Sequence, residues 1–355
     1  MNQRIAYVDI LKGFAIMAVV FFHVKCQLPE AKLFNPTVLG SMWHVPLFFM
    51  LSGFFVTERK ILDTKSFLYS KFKRLYLKGL YYFVPVAILH NLFIKWDWYR
   101  EGVSYGGEFV SVLSISENSF LVIRQFLLIS REPIVGAMWF IDSLFLAMIG
   151  LAILVRLQKT LNVREGYLTI IILIMVVLSN LFTKKYGITL PKISNSITAM
   201  GLVYLGSQMF QRGYLKYVGK KTAIISGIIL WSLSLVDCNV GLNTNGYSSI
   251  VQLVSITVTA FFTLAFVAKK IEKNYIGRIL TMVGEYSFAI MGLHFVGFKV
   301  CSLVLSILSG KDYATYYLTT PDVESNYILV LLYFVFGIVI PLAIVRPIEV
   351  LFAHK

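Results

Sequence analysis

Ten apolar stretches, separated by polar and often basic segments, constrain this chain more than any motif in it. A membrane-spanning helix needs about 20 mostly apolar residues, and 57% of the 355 residues are hydrophobic whereas only 14% are charged. A bilayer core offers no water to hydrogen-bond the backbone, so such segments cross it as helices. We therefore predict an all-α integral membrane protein with about ten transmembrane helices. The predicted spans are residues 6–26, 39–57, 76–94, 137–156, 166–183, 196–211, 222–237, 247–268, 285–308 and 327–346.

The basic residues predict how these spans are oriented, because Lys and Arg collect on cytoplasmic loops. On an alternating path that begins inside, 22 of the 33 basic residues fall on the inner side and ten on the outer side. Both termini are therefore predicted to be cytoplasmic. A basic inner surface facing anionic lipid explains the net charge of +15 without a nucleic-acid partner. We expect a single transmembrane domain over residues 1–355, with no appended soluble domain.

The first predicted span carries ionisable side chains at Lys12 and His23. His23 is eleven positions after Lys12, so the two lie on one helical face about 16 Å apart. Charge inside a bilayer indicates a functional site. Asp9 precedes Lys12 by three residues and is predicted to pair with it. His23 lies near the outer end of the span, where an imidazole can take a proton from a hydroxyl. The alternative is a histidine that only extends to the interface.

Two more histidines lie within predicted spans. His44 lies near the outer end of the second span, and antiparallel neighbours joined by a short loop would bring it into one cavity with His23. His294 is predicted to lie mid-membrane in the ninth span, beyond Glu285 near the inner surface. His294 is either part of a site or a buried polar contact that ties the ninth span to the first.

The second span contains the run Phe48-Phe49-x-x-Ser52-Gly53. Small residues let helix backbones approach closely, so packing is the favoured interpretation of this run. Pro46 is predicted to free the carbonyl of Met42 and to bend the helix, which would open space for a site.

The segment between the second and third spans has the densest cluster of cations in the chain, including Lys71 and Arg74. Topology alone explains such a cluster. A soluble donor rich in phosphate, such as coenzyme A, would also need one.

The longest outer segment covers residues 95–136. Its half-apolar part, residues 109–129, is predicted to lie on the membrane surface or to dip back into the protein. This part is a candidate lid on the acceptor side.

These features together resemble acyltransferase family 3. The family motifs match Arg4, Asp9, Lys12 and His23, then Phe48 to Gly53, Lys71 to Arg74, Trp139-Phe140, and Gly284, Ser287 and His294. The form His-x-Pro-x-Phe-Phe at His44 further resembles the fucose 4-O-acetylase-like branch. Lys12 and Lys71 depart from the pattern, because each is a lysine where the pattern has arginine. Lysine keeps the charge of arginine but lacks its planar fork.

The resemblance implies transfer of an acyl group, usually acetyl from acetyl-CoA, to a hydroxyl of a cell-surface or lipid-linked glycan. Another acyl-CoA, and a direct or an acyl-enzyme route, stay open. No metal is expected. The donor would be bound by Arg4, Lys12, Lys71 and Arg74. The catalytic residues would be His23, His44 and His294. Supporting residues would be Asp9, Ser52, Trp139, Glu285 and Ser287, with core packing as the alternative for Trp139.

The resemblance further implies a multi-pass protein of a bacterial cytoplasmic (inner) membrane. Its expected partners are acyl-CoA, a glycan or lipid-linked oligosaccharide, membrane lipids and proteins of polysaccharide biosynthesis. The alternative is a transporter or flippase of a polysaccharide or lipid-linked glycan without chemistry of its own. The basic inner cluster and the alignment of Lys12 with His23 favour an acyltransferase. Transporters often contain internal repeats, and we find no convincing similarity between the two halves.

Overall fold

The computed structural model describes residues 5–24, 42–105, 108–128, 132–187, 192–236, 240–310, 321, 323 and 326–353. Almost all of its regular structure is helical, as expected for an all-α membrane protein. Six segments are long and apolar enough to cross a membrane. They are Ala6–His23, Pro133–Thr160, Glu165–Tyr186, Ile250–Ile271, Ser287–Ser309 and Tyr327–Pro347. The total of ten spans and the cytoplasmic termini stay predictions.

The chain forms two compact units, and the first consists of Met1–Ala15, Glu30–Lys78 and Trp139–Gly284. Helix α1, Ala6–His23, begins in this unit and ends in the second. The other helices of the first unit are α2 His44–Gly53, α3 Glu58–Leu62, α4 Thr64–Lys71, a π-helix Phe72–Leu77, α8 Trp139–Thr160, α9 Glu165–Tyr186, α10 Ile193–Gln211, α11 Lys220–Ser234, α12 Ile250–Ile271 and α13 Tyr275–Glu285, with short 3₁₀ turns at Tyr214–Tyr217 and Leu242–Thr244. A small antiparallel pair joins β3 Val240–Gly241 to β4 Gly246–Tyr247.

The second unit consists of Ile16–Pro29, Gly79–Met138 and Glu285–Lys355. Its elements besides the end of α1 are α5 Lys78–Ile88, α6 His90–Lys95, the antiparallel strands β1 Ser104–Tyr105 and β2 Glu108–Phe109, α7 Ile115–Phe126, a 3₁₀ helix Pro133–Met138, α14 Ser287–Ser309 and α15 Tyr327–Ala353. Leu89 separates α5 from α6, so the predicted third span is two helices preceded by the π-helix.

Glycines let helices α2 and α10 of the first unit pack backbone to backbone. A Cβ on Gly53 would overlap the carbonyl of Val203, and a Cβ on Gly206 would overlap the carbonyl of Met50. The hydroxyl of Ser52 donates to its own helix, at the carbonyl of Phe48, with an O–O distance of 2.8 Å. The favoured interpretation of this run as a packing motif is therefore confirmed for Gly53.

Helix α2 corrects the expectation for Pro46. The helix begins at His44 and has ten residues, far fewer than the predicted span. Pro46 consequently lies in the first turn, where a missing N–H leaves no helical hydrogen bond unmade. The predicted bend of a longer helix at Pro46 is wrong.

Three helices of the second unit converge at Gly337 of α15. A Cβ at this position would come within 2.6 Å of the Phe298 ring on α14 and 2.7 Å of Val20 on α1. Close packing of this kind lets large side chains of two helices meet over a small residue of the third. Phe21 on α1 also contacts Phe334 on α15, with ring centroids 6.3 Å apart. The contacts fix the end of α1 against α14 and α15.

Candidate active site

Two histidines from distant parts of the sequence meet in the second unit. The Nδ1 atom of His23, the last residue of α1, lies 3.2 Å from the Nε2 atom of His294 on α14. Their rings are stacked, with centroids 5.0 Å apart and an interplanar angle of 27°. His294 is fully buried, and His23 is half-buried. One member of the pair is therefore partly accessible while the other is not.

The hydrogen bonds of His294 define which of the two histidines donates to the other. Its Nδ1 atom lies 2.9 Å from the carbonyl oxygen of Ile290. A carbonyl only accepts, so Nδ1 carries the proton, and in a neutral imidazole Nε2 is then the acceptor. His23 therefore donates from its Nδ1–H to His294. This tautomer gives the ring of His23 its basic lone pair on Nε2.

Aromatic side chains surround the two imidazoles. The Phe295 ring lies 5.0 Å from that of His23 and 4.2 Å from that of His294, centroid to centroid. The Phe298 ring meets His294 edge-on at 5.6 Å. An apolar shell of this kind limits water and strengthens the hydrogen bonds inside it.

The convergence at Gly337 explains why the histidines meet. His23 follows Val20 by three residues on α1, and His294 precedes Phe298 by four residues on α14. Residues three or four apart share a helical face. The two side chains that pack over Gly337 therefore direct the two histidines to the same place, one turn away.

The comparison with known proteins gives the same assignment as the motifs. The family model of acyltransferase family 3, described as an acyltransferase domain, matches residues 5–346. The chain belongs to acyltransferase family 3. No curated protein and no solved structure matches it. Membership of acyltransferase family 3, together with the membrane-spanning helices, makes this chain a multi-pass membrane acyltransferase in general terms.

The expected ion pair at the start of α1 is present. The Lys12 ammonium lies 3.2 Å from a carboxylate oxygen of Asp9, and about a third of the Lys12 side chain is exposed. Gly284 from the late family motif packs here, because a Cβ on it would overlap the carbonyl of Asp9. Lys12 and His23 lie on one continuous helix, so the predicted separation of about 16 Å along its axis holds.

Lys71 lies in a cluster of cations in the first unit. Burial, and then the charges of Arg74 and Lys60, lower the pKa of the Lys71 ammonium to about 8. Its Nζ atom lies 5.0 Å from the centre of the Phe67 ring, and Arg74 is exposed. Concentrated positive charge that is partly desolvated favours binding of an anion.

Trp139 and Phe140 at the start of α8 pack against the aromatic pair of α2. The Phe140 ring lies 4.3 Å from that of Phe49 and 5.7 Å from that of Phe48, and Trp139 meets Phe49 at 6.4 Å. Two family motifs thus form one aromatic cluster. The packing interpretation accounts for these contacts, and a tunnel at Trp139 stays a prediction.

The remaining predicted site residues are dispersed. His44 is buried at the start of α2 in the first unit, and its shared cavity with His23 stays a prediction. Glu285 is exposed at the end of α13, and Ser287 is half-buried at the start of α14. Arg4 lies outside the described residues. Within the described ranges, no group of three or more His, Cys, Asp or Glu side chains is suited to a metal ion.

A buried pair that the sequence did not indicate joins a histidine to a carboxylate. His90 Nδ1 lies 3.0 and 3.1 Å from the two carboxylate oxygens of Glu132, and both side chains are buried. Glu132 directly precedes Pro133 in a polar segment, which offered no periodic signal. Lys299, which the sequence places in the ninth span without a role, is fully buried on α14.

Proposed function

We propose that this protein transfers an acyl group, most simply acetyl, from a cytoplasmic acyl-CoA to a hydroxyl of a cell-surface or lipid-linked glycan. His23 acts as the general base, and His294 is its positioning residue. The protein would act in a bacterial cytoplasmic membrane, beside proteins of polysaccharide biosynthesis. The fucose 4-O-acetylase-like branch is the part of the family that the run at His44 favours.

The hydrogen bond between His23 and His294 is the observation that carries this proposal. A base in acyl transfer needs an unprotonated nitrogen within reach of a hydroxyl and a second group that fixes the ring. The carbonyl of Ile290, His294 and His23 form a chain of donors and acceptors in which each ring has one defined tautomer. The chain leaves the basic lone pair on Nε2 of the half-buried member.

The donor end of the proposal depends on helix α1 and on the cations of the first unit. Lys12 and the cluster around Lys71 and Arg74 would bind the phosphates of coenzyme A, together with Arg4. An extended pantetheine arm is about as long as the 16 Å between Lys12 and His23 on α1. The acyl carbon would then lie at the histidine while the phosphates stay at the basic residues.

The chemical step follows from these positions. His23 Nε2 takes the proton of the acceptor hydroxyl while the hydroxyl oxygen attacks the thioester carbonyl carbon. The new C–O bond forms, the C–S bond breaks, and the coenzyme A thiolate leaves. The imidazolium of His23 then gives this proton to the thiolate sulfur, so that coenzyme A is released as the thiol and the base is restored. An acyl-enzyme route would insert one further transfer and use the same base.

The proposal is tested by following label from radioactive acetyl-CoA into extracted envelope glycan. Membranes with the normal protein, with His23→Ala and with no protein are compared at equal protein abundance. We expect the last two to label equally weakly. His44→Ala, measured in parallel, tests whether the second predicted catalytic histidine contributes.

Two outcomes would contradict the proposal. Normal labelling by His23→Ala would remove the histidine from the chemistry. A normal protein that labels no glycan from acetyl-CoA, succinyl-CoA or other acyl-CoA thioesters would not be an acyltransferase of the proposed kind. The transporter alternative would then be tested by movement of labelled lipid-linked glycan across vesicles.

A further inference from the structure

The segment predicted as a lid, residues 109–129, is described as far as residue 128, and its part from Phe109 to Arg124 lines a pocket in the second unit. The pocket has a cavity volume of about 270 Å³. This volume is close to the lower end of the range for clefts that bind small ligands, about 300–1,000 Å³. The side chains that line the pocket include His90, Phe109, Glu117, Phe120, Arg124 and Glu132.

The floor of the pocket is a buried polar pair. His90 Nε2 donates to the carbonyl of Ser111 across 3.0 Å, and His90 Nδ1 shares a proton with the carboxylate of Glu132 at 3.0 Å. Only 7% and 3% of the two side chains are exposed. Buried charge of this kind is costly unless it is paired. The pair therefore gives the pocket a fixed polar floor.

Further hydrogen bonds hold the covering segment in place. The side-chain amide of Asn91 donates to the carbonyl of Leu113 at 2.7 Å and accepts from the Leu113 N–H at 2.9 Å. Helix α7 then begins with a capping box formed by Ser114 and Glu117. The bonds to Asn91 hold the segment against α6, and the capping box fixes the first turn of α7, so this part of the pocket wall is held in place.

The pocket combines aromatic and charged walls. Phe109 and Phe120 are 74% and 61% exposed, and Glu117 and Arg124 also line the pocket. An acyl chain would remove water from these charged side chains and offer them no hydrogen bond in return, which is unfavourable. A pyranose ring suits both kinds of wall, because its C–H face is apolar and its hydroxyls are donors and acceptors.

A short helix connects this pocket to the histidine pair. Glu132 and Pro133 belong to the pocket, and the 3₁₀ helix Pro133–Met138 packs against α14. A Cβ on Gly136 would lie 4.0 Å from the ring of Phe295, the residue that contacts both His23 and His294. Pro133 and Gly136 are three residues apart, so their Cα atoms are at most about 11 Å apart. One short segment therefore connects the pocket to the surroundings of the proposed base, over a distance that a few sugar units can span.

The geometry points to this pocket as the acceptor subsite, where a pyranose ring of the glycan stacks on Phe109 and Phe120. The His90–Glu132 pair forms the floor of the subsite. The inference rests on the proposed function, because it names where the acceptor of that reaction binds. A polymer and a lipid-linked saccharide both offer such a ring.

The test uses Phe120→Ala in the full-length protein, with Ile123→Ala as the matched control. Ile123 is on the same helix and 53% exposed, and it does not line the pocket. De-O-acetylated envelope polysaccharide from the native strain, and lipid-linked saccharide from the same cells, serve as acceptors. We expect Phe120→Ala to raise the KM for the acceptor about 3- to 10-fold, the loss expected for an aromatic stacking contact. The KM for acetyl-CoA should change less than about twofold.

Equilibrium binding of the same fluorescently labelled saccharides to purified protein in nanodiscs separates the possible failures. Weaker binding by Phe120→Ala alone supports the subsite, and the preferred probe identifies the polymer or the lipid-linked form as its source. Equal acceptor KM and binding for both variants, in a normally active enzyme, would overturn the subsite and leave the proposed function intact. A normal protein that neither transfers nor binds would overturn both.

Discussion

His23 and His294, 271 residues apart in the chain, lie with ring nitrogens 3.2 Å from each other. The carbonyl of Ile290 fixes the proton of His294, and His294 in turn fixes the proton of His23. A histidine held by one partner in one tautomer is the usual arrangement of a general base. Because one ring acts through the other, the contributions of the two histidines to catalysis should not be additive, and mutation can test this.

Replacement of His294 should slow the chemical step without abolishing it. His294→Leu removes the acceptor for His23 Nδ1–H, and we expect kcat to fall about tenfold, the equivalent of one hydrogen bond. His294→Gln supplies a carbonyl oxygen as a substitute acceptor and should recover part of that loss. His23→Ala should lower kcat by about 10² to 10⁴. Steady-state kinetics with acetyl-CoA and envelope glycan measure all three.

The double variant distinguishes positioning from a general structural role. If His294 acts only through His23, His23→Ala/His294→Leu should be as slow as His23→Ala alone. Losses that multiply in the double variant, or a glutamine variant no better than leucine, would contradict positioning. Thermal unfolding of each purified variant provides the control for stability.

Lys71 should make donor binding sensitive to alkaline pH. Its pKa is lowered to about 8, chiefly by burial and further by Arg74 and Lys60. The ammonium is charged below this pH and loses its proton above it, so its attraction for phosphate falls as the pH rises from 7 to 9. The KM for acetyl-CoA should therefore rise about twofold to fivefold over that range, as for a partly exposed ion pair.

Lys71→Arg tests the origin of this pH dependence, because a guanidinium stays protonated throughout the range. The variant should have a flatter KM profile than the normal protein, whereas Lys73→Arg, at an exposed neighbouring position, should not. Identical profiles for the normal protein and Lys71→Arg would exclude Lys71 from donor binding.

Lys12 should affect the donor and not the chemistry. Lys12→Gln removes a charge that is 32% exposed beside Asp9, and we expect the KM for acetyl-CoA to rise about fivefold with little change in kcat. Lys12→Arg should bind the donor at least as well, because its planar fork suits phosphate. Asp9→Asn removes the ion pair but keeps the cation, so its donor KM should not rise. Equal effects of Lys12→Gln and Asp9→Asn would mean that the ion pair is only structural.

The sequence predicted the helices because local hydrophobicity specifies them. Each of the ten predicted segments contains a helix, and the ion pair of Asp9 with Lys12 follows from helical spacing alone. The exact ends were less predictable. Helix α2 begins only at His44, since Pro46 is tolerated in a first turn, and Leu89 interrupts the third segment.

Contacts between distant segments were not predictable in the same way. The sequence predicted His44 as the neighbour of His23 because the two are close in the chain, and offered a contact between spans nine and one only as an alternative for His294. Which helices converge depends on Gly337, Val20 and Phe298, and no local pattern specifies that they meet. The His90–Glu132 pair was missed for the same reason.

Gly337 provides the last prediction, because it positions the histidines without touching them. A Cβ at Gly337 would lie 2.6 Å from Phe298 and 2.7 Å from Val20, closer than packed carbons allow. Gly337→Ala should therefore displace both side chains, at a cost of about 1–3 kcal/mol in unfolding free energy. His294 and His23 are one turn from these residues, so kcat should fall while the KM for acetyl-CoA stays constant. Gly166→Ala is the control, because nothing lies within 4 Å of its Cβ position in helix α9, so it should leave kcat unchanged and should not lower the unfolding free energy. A fully active Gly337→Ala protein of normal thermal stability would show that the packing of α1, α14 and α15 at this point does not determine the geometry of the histidine pair.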